Sequence, residues 1–312
     1  MTAPMARQWA ARYCVRDASG CCCDYYHGFW QYLRLMGLGP TLGGHAGVYV
    51  SAMQDIARQW HTRGEAGARR VLISGCADYS MLAHVLYAFG PVETQPRITV
   101  LDVCPTPLEM NAWYAQTLGR PVELVCSDLR AHQAPDTYDL IVTSSFLGYF
   151  SPEARPGLFA AYATMLRDGG SLVFSNRLRP GPESAPTHFT PEQADRFARK
   201  VLESSRNLPA QAAMDESDAH RLALAYVANR QPYPVNSANS IERLAAHARL
   251  RWVRASRLNT AVQRPGISGP TLADGSDYLF VILEKQGLGV ATPTSGSGTS
   301  PVKAGVLPWM PA

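Results

Sequence analysis

Short polar or acidic residues stand directly behind four apolar runs, and their types suit a nucleoside ligand. Val71-Leu72-Ile73 leads into Ser74-Gly75-Cys76-Ala77-Asp78, small up to Asp78, where a backbone can approach a ligand closely. Ile98 to Leu101 ends at Asp102, an acid suited to a ribose diol. Val122 to Val125 is followed by Ser127-Asp128-Leu129, whose carboxylate could accept from an adenine amino group. Behind Tyr138 to Thr143 come Ser144-Ser145-Phe146-Leu147. Each position has a plainer reading: Asp102 could cap the following helix, and Asp128 could be a turn aspartate.

The elements that must position these residues alternate. Strands are expected at Val71–Ile73, Ile98–Leu101, Val122–Val125, Tyr138–Thr143 and Ser171–Ser175, with helices over Ser80–Phe89, Leu108–Leu118 and Leu158–Leu166. This rhythm predicts an α/β fold: a doubly wound, mostly parallel seven-stranded sheet with helices on both faces. In such a sheet ligands bind beyond the carboxyl ends of the strands, where the strand order reverses. Residues 1–23 read as irregular. Helices follow from about His27 to the breaker Gly37-Leu38-Gly39-Pro40, and from about Gly44 to Trp60. Thr190-Pro191-Glu192 opens a helix within 177–238, and Asn239 to Glu242 fits a capping box. Arg251–Leu258 and Asp277–Glu284 read as the last two strands. The division expected is an N-terminal helical cap (1–64), a core (65–178), a helical insertion after strand five (179–238), the rest of the core (239–286) and a flexible tail (287–312).

In their order, Leu72 to Asp78, Leu101-Asp102, Ser127-Asp128-Leu129, Tyr138 to Val142 and Met165 to Gly170 resemble the successive motifs of class I S-adenosylmethionine (SAM)-dependent methyltransferases. The resemblance covers roughly 65–178, and Ile241 to Glu284 is similar to that family's C-terminal end. It implies SAM as cofactor. Gly75, Cys76, Ala77 and Tyr79 would then meet its methionine part, Asp102 the ribose, Asp128 and Leu129 the adenine, and Ser144 the methyl-transfer face. The sequence departs from the family in the glycine-rich loop, where Ile73, Ala77 and Tyr79 replace an acid and two glycines. Methyl transfer to a small-molecule acceptor, in secondary metabolism, is the activity implied. The same scaffold also carries attack on the aminobutyryl chain of SAM or its cyclisation, releasing methylthioadenosine. A non-catalytic SAM-binding module is a further alternative. A nicotinamide-dependent Rossmann enzyme would want a full G-x-G-x-x-G loop and an acid about twenty residues on, and the loop here lacks it.

Tyr149 and His188 are candidate bases should the acceptor need to lose a proton. Tyr25, Tyr26 and Trp30 are candidates for a lid, although such a cluster is more often core, and Asn176 could hold an amino or carboxylate group. The seven cysteines have no CxxC pair, and the run Cys21-Cys22-Cys23 cannot wholly ligate one zinc, so no metal is expected. Cys76, Cys104 and Cys126 sit near strand ends, where small buried thiols are common.

The 312 residues are 46% hydrophobic and 17% charged, enough to bury a large core. The net charge of +4 is scattered without a basic block, which argues against a nucleic-acid partner. The N-terminus has no apolar stretch of signal-peptide type and no run long enough to span a membrane occurs. A cytoplasmic enzyme without membrane or nucleic-acid partners is expected, with a homodimer as one assembly open to it.

Overall fold

In the computed structural model, residues 2–14, 23–38, 45–62, 68–90, 95–179, 181–259 and 277–287 are described. Gly39, Pro40, Gly44, Cys21, Cys22, Pro180 and the tail beyond Gly287 lie outside them. Seven strands form one sheet: β1 (Arg70–Ser74), β2 (Arg97–Asp102), β3 (Glu123–Cys126), β4 (Tyr138–Ser144), β5 (Leu166–Leu178), β6 (Leu250–Asn259) and β7 (Asp277–Lys285). Their order is β3-β2-β1-β4-β5-β7-β6, parallel from β3 to β5, with β7 running antiparallel to both β5 and β6. The chain winds outward from β1 to β3, then crosses back to place β4 on the other side of β1. The order therefore reverses between β1 and β4, which puts the ligand crevice at their carboxyl ends.

Alternate strand residues feed two cores. Val71, Ile73, Val100 and Val142 face α4 (Ala46–Thr62) and α5 (Ser80–Phe89). Leu72, Leu101, Ile141 and Phe174 face α7 (Arg155–Met165) and α10 (Ala238–His247). Asp139, at the start of β4, accepts from Arg69 Nη1 at 2.9 Å and from the Arg70 amide at 2.7 Å, a structural role.

A third core joins two segments far apart in sequence. Phe29, Trp30, Tyr32 and Leu33 pack with Phe197, Val201, Leu222 and Tyr226. The first set lies on and just before α3 (Trp30–Leu35), the second on α8 (Pro191–Ser205) and α9 (Glu216–Asn229). An ion pair of 2.6 Å from Arg7 to Asp218 ties α1 (Ala3–Tyr13) to α9. Together these helices cap the crevice.

The structure corrects several local expectations. The stretch read as irregular contains α1, whose buried face is Ala3, Ala6 and Ala10, too small to register as an apolar stripe. The single helix expected from His27 is two, α2 (Asp24–His27) and α3, broken around Gly28. A Cβ there would come 3.1 Å from that of Ala10, so the missing side chain lets α1 pack against the break. Gly37 does end α3, in the left-handed region at φ 67°. Thr190 and Gln193 form a capping box at the start of α8. The helix before β6 is capped two residues earlier than expected, by Ser237, whose Oγ accepts from the Ser240 amide at 3.2 Å. Cys126 is exposed, not buried. Among the described residues no helix is long and apolar enough to cross a membrane.

Candidate functional site

The crevice opens into a cavity of about 410 Å³ beneath the cap. Gly75, behind β1, has φ 65°, and a Cβ on it would overlap the Phe146 ring from the β4 loop. Both constraints demand glycine here. The turn is held by Asp102: Oδ2 accepts from the Cys76 amide and Oδ1 from the Cys104 amide, each at 2.8 Å. Cys104 is the N-cap residue of α6 (Pro105–Thr117), so the plainer reading of Asp102 as a helix-start acceptor is part of the truth. Asp102 is 8% exposed, and burial pushes its carboxyl above the usual range, against the nearby His27 and the two amides.

Behind β3, Asp128 is half-exposed and paired with Arg130 at 2.6 Å, and it also accepts from the Arg130 amide at 2.8 Å. Its turn role is therefore visible, and the Arg130 guanidinium that pairs with it lies over the Phe150 ring. Leu129 is buried in the second core while lining the cavity. Behind β4, Ser145 takes a left-handed φ of 54° and donates its amide to Ser175 O at 2.7 Å. Strain of this kind gathers at functional sites. Ser144 Oγ lies 3.4 Å from Ser175 Oγ. Tyr49 of α4 bridges the ends of β4 and β5, donating to Thr143 O at 2.6 Å and accepting from the Ser175 amide at 2.7 Å.

Several solved structures are similar to this chain in fold. One is a magnesium protoporphyrin IX methyltransferase from Synechocystis PCC 6803 with bound S-adenosylhomocysteine (12% identity, 83% of this chain and 94% of that one, TM-score 0.47). Another is 1,6-didemethyltoxoflavin-N1-methyltransferase from Burkholderia thailandensis (16%, 76% and 79%, 0.44). A third is the N-methyltransferase NodS from Bradyrhizobium japonicum WM9 (15%, 75% and 86%, 0.41). The likeness is one of fold. No protein-family model and no curated protein matches the sequence.

The cap supplies the other wall. Tyr26 stacks near Trp30 at 5.3 Å and meets Tyr149 edge-on at 6.1 Å, and Tyr25 meets Tyr226 at 6.3 Å. Arg230, at the end of α9, lies over Tyr149 at 4.6 Å and over Tyr26 at 5.7 Å. Burial raises the Tyr26 hydroxyl well above its ordinary value. Arg177 and Arg179, at the end of β5, are 4% and 8% exposed. The buried Nε of Arg179 has no hydrogen-bond partner. Burial, then Arg177 and Arg230, push its guanidinium down, yet an arginine stays charged at neutral pH. Asn176 donates to Arg177 O at 2.9 Å, so its side chain braces the strand end while lining the cavity.

Of the residues singled out by sequence, Tyr149, Gly75, Cys76, Ala77, Asp102, Asp128, Leu129, Ser144, Tyr25, Tyr26, Trp30 and Asn176 line this one cavity. Two do not. Tyr79 turns away and stacks on Tyr114 at 4.7 Å, packing where the family has a glycine. His188 is exposed in the stretch before α8, outside the lining. Sequence reasoning missed His27, Cys23, Cys104, Tyr49, Arg177, Arg179 and Arg230. Arg177 and Arg179 carried a signal, since alternate residues leaving a strand share a face. The rest come together only through packing.

Proposed function

We propose that this chain binds SAM in the cavity and transfers its methyl group to a small organic acceptor of the kind used in secondary metabolism. The observation that carries this reading is the polarity of the cavity. The acids that line it stand at or behind the ends of β1, β2 and β3: Asp78, held by Arg34 at 2.5 Å, Asp102, and Asp128, held by Arg130 at 2.6 Å. Its cations are Arg177 and Arg179, at the end of β5, and Arg230, at the end of α9, with the aromatic rings of Tyr26, Trp30 and Tyr149 also in the lining. SAM shares part of this polarity: hydroxyls and an amino donor at one end, a carboxylate beside an α-ammonium at the other and a sulfonium between. Aromatic faces suit that cation, and a buried guanidinium suits the carboxylate.

SAM when bound supplies a methyl group already activated by the positive sulfur. The chain's part is then to hold and exclude water. Asp102 is suited to the ribose hydroxyls, and Asp128 with Leu129 to the adenine. Gly75, Cys76 and Ala77 offer a close backbone approach beside the methionine part. Arg177 and Arg179 face the carboxylate, and Ser144 lies toward the acceptor. Tyr149 is positioned to receive a proton from an acceptor that must lose one. His188 and Tyr79 are given no part. The acceptor is a free small molecule, not a nucleic acid, and reaches the site under the cap.

Calorimetry with S-adenosylhomocysteine, then incubation with SAM and a panel of acceptors followed by mass spectrometry, tests the reading. We expect binding, and S-adenosylhomocysteine formed only when an acceptor is methylated. Acceptor-independent methylthioadenosine would overturn methyl transfer in favour of aminobutyryl chemistry while sparing the cofactor. Binding without either nucleoside product would make this a binding module, and absence of binding would overturn the cofactor itself.

A further inference from the structure

Three cysteines from three separate elements converge beside the cavity. Cys14 ends α1, Cys23 precedes α2, and Cys104 caps α6. The Cys104 sulfur lies 3.7 Å from that of Cys14 and 3.5 Å from that of Cys23, and all three lie within 4.8 Å of one another. A tetrahedral ion with metal–sulfur bonds of about 2.3 Å holds its sulfurs about 3.8 Å apart. A disulfide, by contrast, joins two sulfurs at about 2.05 Å and has no place for a third. A second observation points to the same spot. His27, 7% exposed, lies beside Cys104 and lines the same cavity, and its buried Nδ1 has no hydrogen-bond partner. Buried polar nitrogens are rarely left so.

We propose that Cys14, Cys23 and Cys104 form a binding site for a thiophilic divalent cation of the zinc type, its fourth position taken by His27 after a shift of the ring or by water. Three thiolates are the donor set of structural rather than catalytic zinc sites. As the metal–sulfur bonds form, the three thiol protons leave to solvent. The consequence for the fold is specific. Asp102 already grips the Cys104 amide at 2.8 Å, and Cys23 and Cys104 both line the cavity. A metal here would clamp the N-terminal helices of the cap to the loop behind β2, and so fix the cap against the wall that Asp102 organises. Without it, the described contacts of α1 and α2 with this region include packing, thiol contacts and the Thr106 hydroxyl, which donates to Trp9 O at 3.5 Å. The absence of a CxxC pair did not exclude such a site, because its ligands are brought together by the tertiary fold.

The full chain is to be purified under reducing conditions, loaded with zinc, desalted and assayed for metal by mass spectrometry. A parallel sample receives cobalt and is read by absorption. We expect one metal per chain, with thiolate-to-cobalt charge-transfer bands and the strong visible bands of a tetrahedral centre. Cys104→Ser should weaken zinc binding by at least the roughly 10–100-fold that even an outer-shell partner is worth. Cys126→Ser, at an exposed cysteine outside the cluster, should retain the metal. Failure of the unaltered chain to retain zinc would overturn the proposal. So would a cobalt spectrum without sulfur bands, or a disulfide among the three cysteines in the purified protein. The cobalt reading is made on the unaltered chain, so it decides even where Cys104→Ser does not fold.

Discussion

Two backbone amides, those of Cys76 and Cys104, close on the Asp102 carboxylate, one per oxygen. Each oxygen keeps a further lone pair, so the same group can brace two loops and still accept from a ribose hydroxyl. Asp102→Asn tests both roles with little change in shape. One amide would then face an NH2 donor instead of an acceptor, and the charge that strengthens the ligand bond would be gone. We expect a loss of stability of about 1–3 kcal/mol together with a higher Kd for S-adenosylhomocysteine. A thermal melt and a titration check the pair, and unchanged values in both would remove Asp102 from the site. Asp102 was legible because strand ends point at ligands. The Asp128–Arg130 pair and the turning away of Tyr79 were not, since the pattern of a sequence fixes the backbone's course but not which rotamer each side chain takes.

At the scale of elements, the cap depends on what each helix buries. Phe197 of α8 is 2% exposed and stacks on Tyr226 of α9 at 5.3 Å. Tyr226 lines the cavity, one turn before Arg230. Truncating Phe197 to alanine should cost about 3–5 kcal/mol. The loss should fall on the cap, because Phe197 belongs to the third core and not to the two that cover the sheet. We therefore expect KM for SAM to rise, with the sheet's circular dichroism retained at temperatures where the cap's aromatic signal has been lost. A single coincident transition with unchanged KM would show that cap and sheet are one unit. The start of α8 could be read from Thr190 and Gln193, since a capping box is local. The partnership of α8 and α9 with α1 and α3 could not, because periodicity marks a face as apolar without saying what it meets.

For the whole molecule, the distribution of these cores sets which parts open most readily. The sheet is sandwiched between two apolar clusters, and β1 and β4 are almost wholly buried at its centre. The cap has one smaller cluster, assembled from segments before β1 and between β5 and β6 and joined to the rest across the cavity. Regions with fewer buried contacts open at lower free-energy cost. Amides of α8, α9 and α3 should therefore exchange with solvent well before those of β1 and β4. A ligand held between cap and sheet binds only when both walls are in place, so it must stabilise the cap by its binding free energy in the closed form. Hydrogen exchange with and without S-adenosylhomocysteine tests this directly. We expect slower exchange in α3 and α9 on adding the nucleoside, while β1 and β4, already slow, change little. Protection confined to the loops behind β1 and β2 would mean that the nucleoside sits on the sheet alone and that the cap serves another purpose.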